Sequence, residues 1–492
     1  MKRKLPFILT VLLFFIYTGL YGDVLSHIIF YHEQHHLFLF SSHYFTQQIE
    51  TVGWMSYLTD FIIQFFYYPW LGCIILGGIL ASIYGLLTYN IQIITGKNDW
   101  LQLSLIPSLY LFLQTMAADY SLVPVVSCWL FLIFFTLLNL LFSPYWKKIH
   151  PFVPEWKCST KVTYSITIVV IAVYAVTASY LFIHSYNMSE HRMIKAEQAV
   201  KEKNWDEVLR QTGKYLDKRR NNQLIYYFRH LALYHKGELL SHLFDYPQPL
   251  GVKGLYFPWN SDSRESEYGH FLYEELGHIN EAQRWEFEAM VVWGETAPHL
   301  LNLARYNIII GRPRVAQRFL NLLKQSLFYA EEAKRLETVL SSGKVEGLHY
   351  ALAHAPTHPA RFANVMNIGP ELLYLCEQDQ GNRMAFEYLM CDLLLSNQVV
   401  RFVEYLPFIQ QFDYPEMPAI FEEALLMYKL GIGEEAFAAT GYVIRPQTEQ
   451  RFARYYQLFQ QKDNYRLRKE FGKTYWYYLN FVSPYGNKII TN

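Results

Sequence analysis

Apolar residues run almost unbroken through the first third of the chain and recur with a helical period through the rest. Residues 5–21, 68–94, 101–117, 122–142 and 162–183 are five such runs, each at least 17 residues long and none with a charged side chain inside. A helix needs ~20 residues to cross the hydrocarbon core, and an ionised group within it is costly, so the pattern predicts about five transmembrane helices. The run 68–94 carries Gly77, Ala81 and Gly85 at four-residue spacing, a small face on which a neighbouring helix of the same bundle can sit closely. Residues 55–67, with Trp54, Tyr57, Tyr67, Tyr68 and Trp70 around them, read as a short helix lying in the membrane interface.

From Met188 onward apolar positions fall at helical spacing with regular breaks. Trp205, Val208, Leu209, Thr212 and Leu216 share one face of a helix that Asn204 is placed to cap, and Leu224, Tyr227, Phe228, Leu231 and Ala232 repeat the pattern before Gly237 ends it. Alternating runs bounded by hairpin turns are nearly absent. Gly277, Gly311 and Gly431 are each followed five residues later by an alanine (Ala282, Ala316, Ala436), and the first two glycines are 34 residues apart, the tetratricopeptide period. The expected fold is all-α: a bundle of about five transmembrane helices, then a degenerate tetratricopeptide-like α-solenoid. Residues 1–184 form the first domain and 185–492 the second, the latter divided into halves near 354–370. Irregular helical packing is the alternative for the second part.

Charge sharpens this division. Residues 1–184 hold 8 of the 43 Lys/Arg and 7 of the 43 Asp/Glu, leaving 35 and 36 for residues 185–492. The balance of 43 against 43 argues against nucleic acid as a partner, because no net attraction to phosphate remains. In the first part Lys2, Arg3, Lys4, Lys97, Lys147, Lys148, Lys157 and Lys161 all fall on one side of the predicted spans, while the connections 22–67 and 118–121 contain no Lys or Arg. That side is expected to be cytoplasmic. With five spans, residues 185–492 are then extracytoplasmic, and the basic start of the first span reads as a retained anchor rather than a cleaved signal. Cys376 and Cys391 lie where a disulfide is allowed. On antiparallel helices turning near Gly381 their offset of ~7 Å is unfavourable, so the pairing stays open.

The stretch Glu33-Gln34-His35-His36-Leu37-Phe38, then Tyr57-Leu58 and Phe61-Ile62-Ile63-Gln64-Phe65-Phe66-Tyr67, resembles a family of uncharacterised multi-pass membrane proteins from Bacteroidota. The later Asn382-Arg383-Met384-Ala385-Phe386-Glu387-Tyr388-Leu389-Met390 adds to the likeness. The resemblance implies a bacterial inner membrane, several N-terminal spans and a helical, repeat-like C-terminal part. It carries no catalytic residues over.

His32-Glu33-Gln34-His35-His36 contains H-E-x-x-H. On a helix, His32 and His36 would lie one turn apart as zinc ligands with Glu33 activating water, and Glu50, His43 or Asp60 is the nearest third ligand. Hydrogen-bonded interfacial histidines are the plainer reading. Glu33 and Asp119, on the outer face, are the weak catalytic candidates for an enzyme acting on a lipid-linked substrate, as in membrane glycosyltransferases, but no basic outer-loop residue is available for its phosphate. His270, Glu274 and His278 share a helix face that reads as hydrogen-bonded rather than metal-binding. No Gly-rich phosphate loop, G-x-S-x-G elbow or zinc-spaced cysteine pair occurs, so no cofactor is expected. The leading expectation is a membrane-anchored periplasmic helical-repeat protein that binds a protein partner and the lipid bilayer. A lipid-linked transferase and a zinc peptidase through His32, Glu33 and His36 are the alternatives.

Overall fold

The computed structural model describes residues 4–150, 160–218, 220–258, 263–348 and 367–486, and every regular element among them is helical. Lys2, Arg3, Lys157, Cys158 and Trp259 lie outside the described residues, as does most of the division expected near 354–370. The chain forms two compact units. Unit 1 comprises Met1–Ile194, Glu295–Pro298 and Asn321–Lys334; unit 2 comprises Lys195–Gly294, His299–Leu320 and Arg335–Asn492.

Unit 1 is built on α1 (Lys4–Gly22), α5 (Pro69–Thr95), α7 (Val123–Leu141) and α8 (Thr160–Ser185), with α2 (Ser26–His35), α3 (Ser42–Thr51) and α4 (Trp54–Ile63) between the first two. The four long helices are long and apolar enough to cross a membrane. Their outward sides are apolar as well: Phe7, Phe15, Phe131, Leu141, Val173 and Ile183 are all exposed. A surface of that kind calls for an apolar solvent. Helices α1 and α5 run antiparallel in close contact because α5 offers glycine where α1 offers threonine. Thr18 lies over Gly77 and Thr10 over Gly85, and a Cβ on Gly77 would stand 2.5 Å from the Thr18 hydroxyl. The small face of α5 is thus filled from within the bundle.

The third predicted span is not a long helix. Within 101–117 only α6 (Leu105–Gln114) is α-helical, and its 10 residues cover about 15 Å, half the hydrocarbon thickness. Pro107, which has no amide N–H to donate, and Gln102, with a positive φ of 50°, keep the helix from starting earlier. The chain nevertheless travels the length of the bundle here. Asn139 donates to Asn90 (2.9 Å) and His150 Nε2 donates to the carbonyl of Ile93 (2.9 Å), which puts the C-terminal ends of α5 and α7 together. Residues 96–122 must therefore return the chain to the opposite end. Asp99 secures the non-helical part, accepting from the backbone N–H and hydroxyl of Ser104 (2.9 and 2.8 Å), while Tyr84 donates to Gln102 (2.7 Å). Higher up, Ser108 donates to the carbonyl of Leu80 (2.7 Å) and Thr115 meets Tyr21 (2.6 Å). Irregular backbone survives inside an apolar bundle only when its polar groups are satisfied in this way. Lys97, Lys147 and Lys148 all follow the C-terminal ends of α5 and α7.

Unit 2 is a succession of short helices. Asn204 caps Trp205–Leu216 through the N–H of Glu207, as its position predicts, and Asn382 caps Arg383–Leu395 through Ala385. Gly277 (φ 81°) and Gly311 (φ 74°) turn the chain between successive helices, and Ala282 and Ala316 beyond them are fully buried. The third expected unit departs from this: Gly431 lies inside the helix Ala419–Ile432, Gly433 (φ 89°) makes the turn, and Ala436 is exposed. Tyr256, Phe257, Tyr475, Trp476 and Tyr478 are buried and serve as core. Cys376 and Cys391 are buried, unbridged thiols, and burial pushes Cys376 up to about 12.

Two outcomes follow. Gly77→Leu is expected to force α1 off α5 and to lower the thermal stability of the detergent-solubilised protein. Gly78→Ala, whose added Cβ would find only Phe14 at an ordinary 3.7 Å, leaves it unchanged. In unit 2, burial pushes the Asp392 carboxyl up to about 7, against about 3.9 in an unfolded chain. A raised carboxyl stabilises the fold fully below the unfolded value and loses that contribution as pH climbs to the folded one. Asp392→Asn should therefore gain on the natural protein by on the order of 3 kcal/mol between pH 4 and pH 7, and no further above, in chemical denaturation followed at several pH values.

Candidate functional site

The residues singled out for chemistry gather at the end of unit 1 opposite Lys97, where α2, the extended strand of chain 36–41, α3 and α4 meet. Helix α2 ends at His35, and His36 is already extended (φ −127°, ψ 135°). His32 and His36 therefore do not share a helical face, although their rings remain 5.7 Å apart. His36 Nδ1 turns instead to Asp60 of α4 (2.9 Å). Beside it the Tyr44 hydroxyl donates to the carbonyl of Leu37 (3.0 Å) and lies 3.4 Å from the second Asp60 oxygen. Burial and the Asp60 charge push the Tyr44 phenol up, so it stays a proton donor.

His32 is sealed within the unit, and neither ring nitrogen has a hydrogen-bond partner among the described residues. Burial holds its pKa well below the usual histidine range, with His36 and His35 acting in the same direction, so the imidazole is neutral. Of the nearest third ligands, His43 and Glu50 are exposed on α3, and Asp60 is engaged by His36. Among the described residues no group of three or more His, Cys, Asp or Glu is arranged to hold a metal ion.

Glu33 is committed on both oxygens. Gln34 Nε2 donates to one (2.5 Å) and the Tyr329 hydroxyl donates to the other in a very short contact. Burial and the Glu33 charge push the Tyr329 phenol well above its ordinary value, which keeps the proton on the tyrosine. The cleft around them is lined by Glu33, His36, Phe38, Gln64, Phe328 and Tyr329 among others, and its volume of about 10 Å³ has room for about one water. Asp119 is not part of it: it sits exposed in the turn between α6 and α7. The structure thus brings Glu33, His36 and Asp60 into one neighbourhood, leaves Asp119 apart, and adds Tyr329. That tyrosine is 296 positions from Glu33, and no local pattern signals the pairing.

His270 and Glu274 lie on the helix Gly269–Glu275, but His278 falls beyond the Gly277 turn at the start of the next helix, so the three do not share one helix face; each is satisfied from within unit 2. His270 Nδ1 donates to the Tyr306 hydroxyl (2.8 Å), which donates to Glu274 (2.6 Å), and His278 Nε2 lies 2.6 Å from Glu371. His299 Nδ1 meets Glu286 at 2.7 Å alongside them.

A sequence profile for a family of unknown function, DUF6057, matches residues 2–183 and 139–482, so the chain belongs to that family. No curated protein and no solved structure matches it.

A metal site at His32 and a buried, unpartnered His32 predict opposite results for one substitution. His32→Leu removes two unsatisfied polar atoms without loss of volume, and the protein is expected to unfold at the same or a higher temperature, by ~1 kcal/mol, with no change on adding a chelator. Tyr329→Phe, which strands the Glu33 carboxylate, should lower stability by ~1–3 kcal/mol, and Glu33→Gln, which keeps an acceptor, by less.

Proposed function

We propose that this DUF6057 member is a membrane-anchored helical-repeat protein whose second unit recognises another protein, and that it is a binding module rather than an enzyme. The observation that carries this reading is an aromatic face near the C-terminus. On helix Pro446–Gln460, Tyr455 and Leu458 are buried on one side, while Tyr456 (52% exposed) and Phe459 (39%) are open on another. Phe459 meets the equally open Phe481 edge to face at 6.1 Å, and Tyr477 stacks on Phe481 at 4.8 Å. Tyrosine and phenylalanine grouped at a solvent-facing surface are the side chains that anchor protein interfaces.

The repeat reading is supported by the two glycine turns 34 residues apart, each followed by a buried alanine, and by the bonds joining one helix pair to the next: His270 to Tyr306 and His299 to Glu286. In a tetratricopeptide-like array such pairs leave one face of the stack for a ligand. The enzyme readings have less support, because Glu33 is occupied by Tyr329 and Gln34 and Asp119 stands alone.

For location, the proposal is the inner membrane of a bacterium, with the N-terminus cytoplasmic and unit 2 periplasmic. What supports it is the collection of Lys97, Lys147 and Lys148 at one end of the bundle. The short helix α6 with its Asp99 loop counts as a crossing alongside the four long helices.

Photo-crosslinking from position 456 in cells should yield a specific protein adduct, lost in the Phe459→Glu, Phe481→Glu double variant while its thermal unfolding stays unchanged. Recovery of no adduct, or of one insensitive to the double variant, would sink the binding reading. In a cysteine-free background, Glu50→Cys should react with an impermeant maleimide in intact spheroplasts and Lys97→Cys only after lysis; the reverse pattern would invert the topology.

A further inference from the structure

We propose that residues Asn321–Lys334, which lie deep in the otherwise polar half of the sequence, form a second, non-spanning membrane anchor, with Leu327 and Phe328 entering the lipid interface at the 22–67 end of the bundle. This stretch is part of unit 1, although the chain on either side of it belongs to unit 2. Its backbone is tied to the 22–67 connection by a hydrogen bond from Phe40 N–H to the carbonyl of Gln325 (2.8 Å), and its side chains by the Tyr329–Glu33 bond.

The level at which it sits is set by aromatic contacts. Phe328 stacks on Tyr67 (5.1 Å, 5° between planes) and stands edge-on to Tyr68 (5.5 Å) and Phe65 (5.9 Å). Tyr68 directly precedes Pro69, the first residue of the 27-residue helix α5. Phe328 is therefore level with the first turn of a helix of membrane-spanning length, where a bilayer changes from headgroup to hydrocarbon. Ser326 fixes the bend, donating its hydroxyl to the carbonyl of Leu323 (2.8 Å) and accepting from the N–H of Tyr329 (3.1 Å), so that Leu327 stands at the tip. Leu327 is 52% exposed, and Tyr68 and Trp70 at the start of α5 are open as well. Polar residues flank the bend on both sides, Asn321, Lys324 and Gln325 before it and Glu331, Glu332 and Lys334 after it, and Glu331 and Lys334 pair in the open at 2.6 Å.

Lipid is the occupant this arrangement fits. The patch is continuous with the start of a membrane-length helix, is rich in tyrosine and tryptophan, and borders the 22–67 connection, which has no Lys or Arg. Such amphipathic rings prefer the headgroup level, and a leucine at a bend tip beside them adds apolar area without spanning.

The test uses the full-length protein in phosphatidylcholine nanodiscs, with an environment-sensitive fluorophore on Leu327→Cys and, separately, on Glu331→Cys, in a cysteine-free background whose thermal unfolding matches the natural protein. The label at 327 is expected to emit to the blue of the one at 331 and to be quenched at least two-fold more by lipid spin-labelled near the glycerol. Water-like emission at 327 would overturn the proposal. So would blue-shifted emission indifferent to the spin-labelled lipid, which would mean that protein covers the bend.

Discussion

A chain that must return through an apolar bundle in a single connection has to satisfy its own backbone on the way, and the architecture of unit 1 rests on how residues 96–122 do this. Helices α5 and α7 end together, held by Asn90, Thr136 and Asn139 in a buried hydrogen-bonded set. That leaves the intervening residues to run the full length of the bundle with only ten of them in an α-helix. Asp99, Gln102 and Ser104 take up among themselves polar groups that a longer helix would have satisfied by itself. The gathering of Lys97 with Lys147 and Lys148, and with it the placement of the 22–67 connection at the other end, depends on this return.

The H-E-x-x-H stretch shows how tertiary context reassigns a motif. Its chemistry needs two histidines on one helical face, and helix α2 stops one residue too soon to give it. What the same residues do instead is bind chain to chain: Glu33 holds Tyr329, His36 holds Asp60, and His32 fills space without a polar partner. The cost of that unpaired imidazole is offset by the apolar core of the unit, to which Leu25, Ile28 and Ile29 belong.

Unit 2 shows the same mixture of legible and hidden detail. The glycines at 277 and 311 were readable because a positive φ at a helix end favours glycine and because the following alanine must be small to be buried. The same spacing at Gly431 is coincidental, since the strained position is Gly433. Spacing alone cannot separate the two cases: whether Ala436 packs or stands in water depends on a neighbour distant in sequence.

By itself the sequence determined the local features of this protein. These are the four long apolar helices, the cap at Asn204 and the all-helical composition. Each follows from hydrogen bonding, capping or solvation within a turn or two of the chain. Tertiary structure alone decided how α6 completes its passage, which helix fills the glycine face of α5, and that Tyr329 closes on Glu33 across 296 positions. Those outcomes are set by the packing of surfaces brought together only on folding, where a single buried donor or a missing Cβ selects one arrangement over the others.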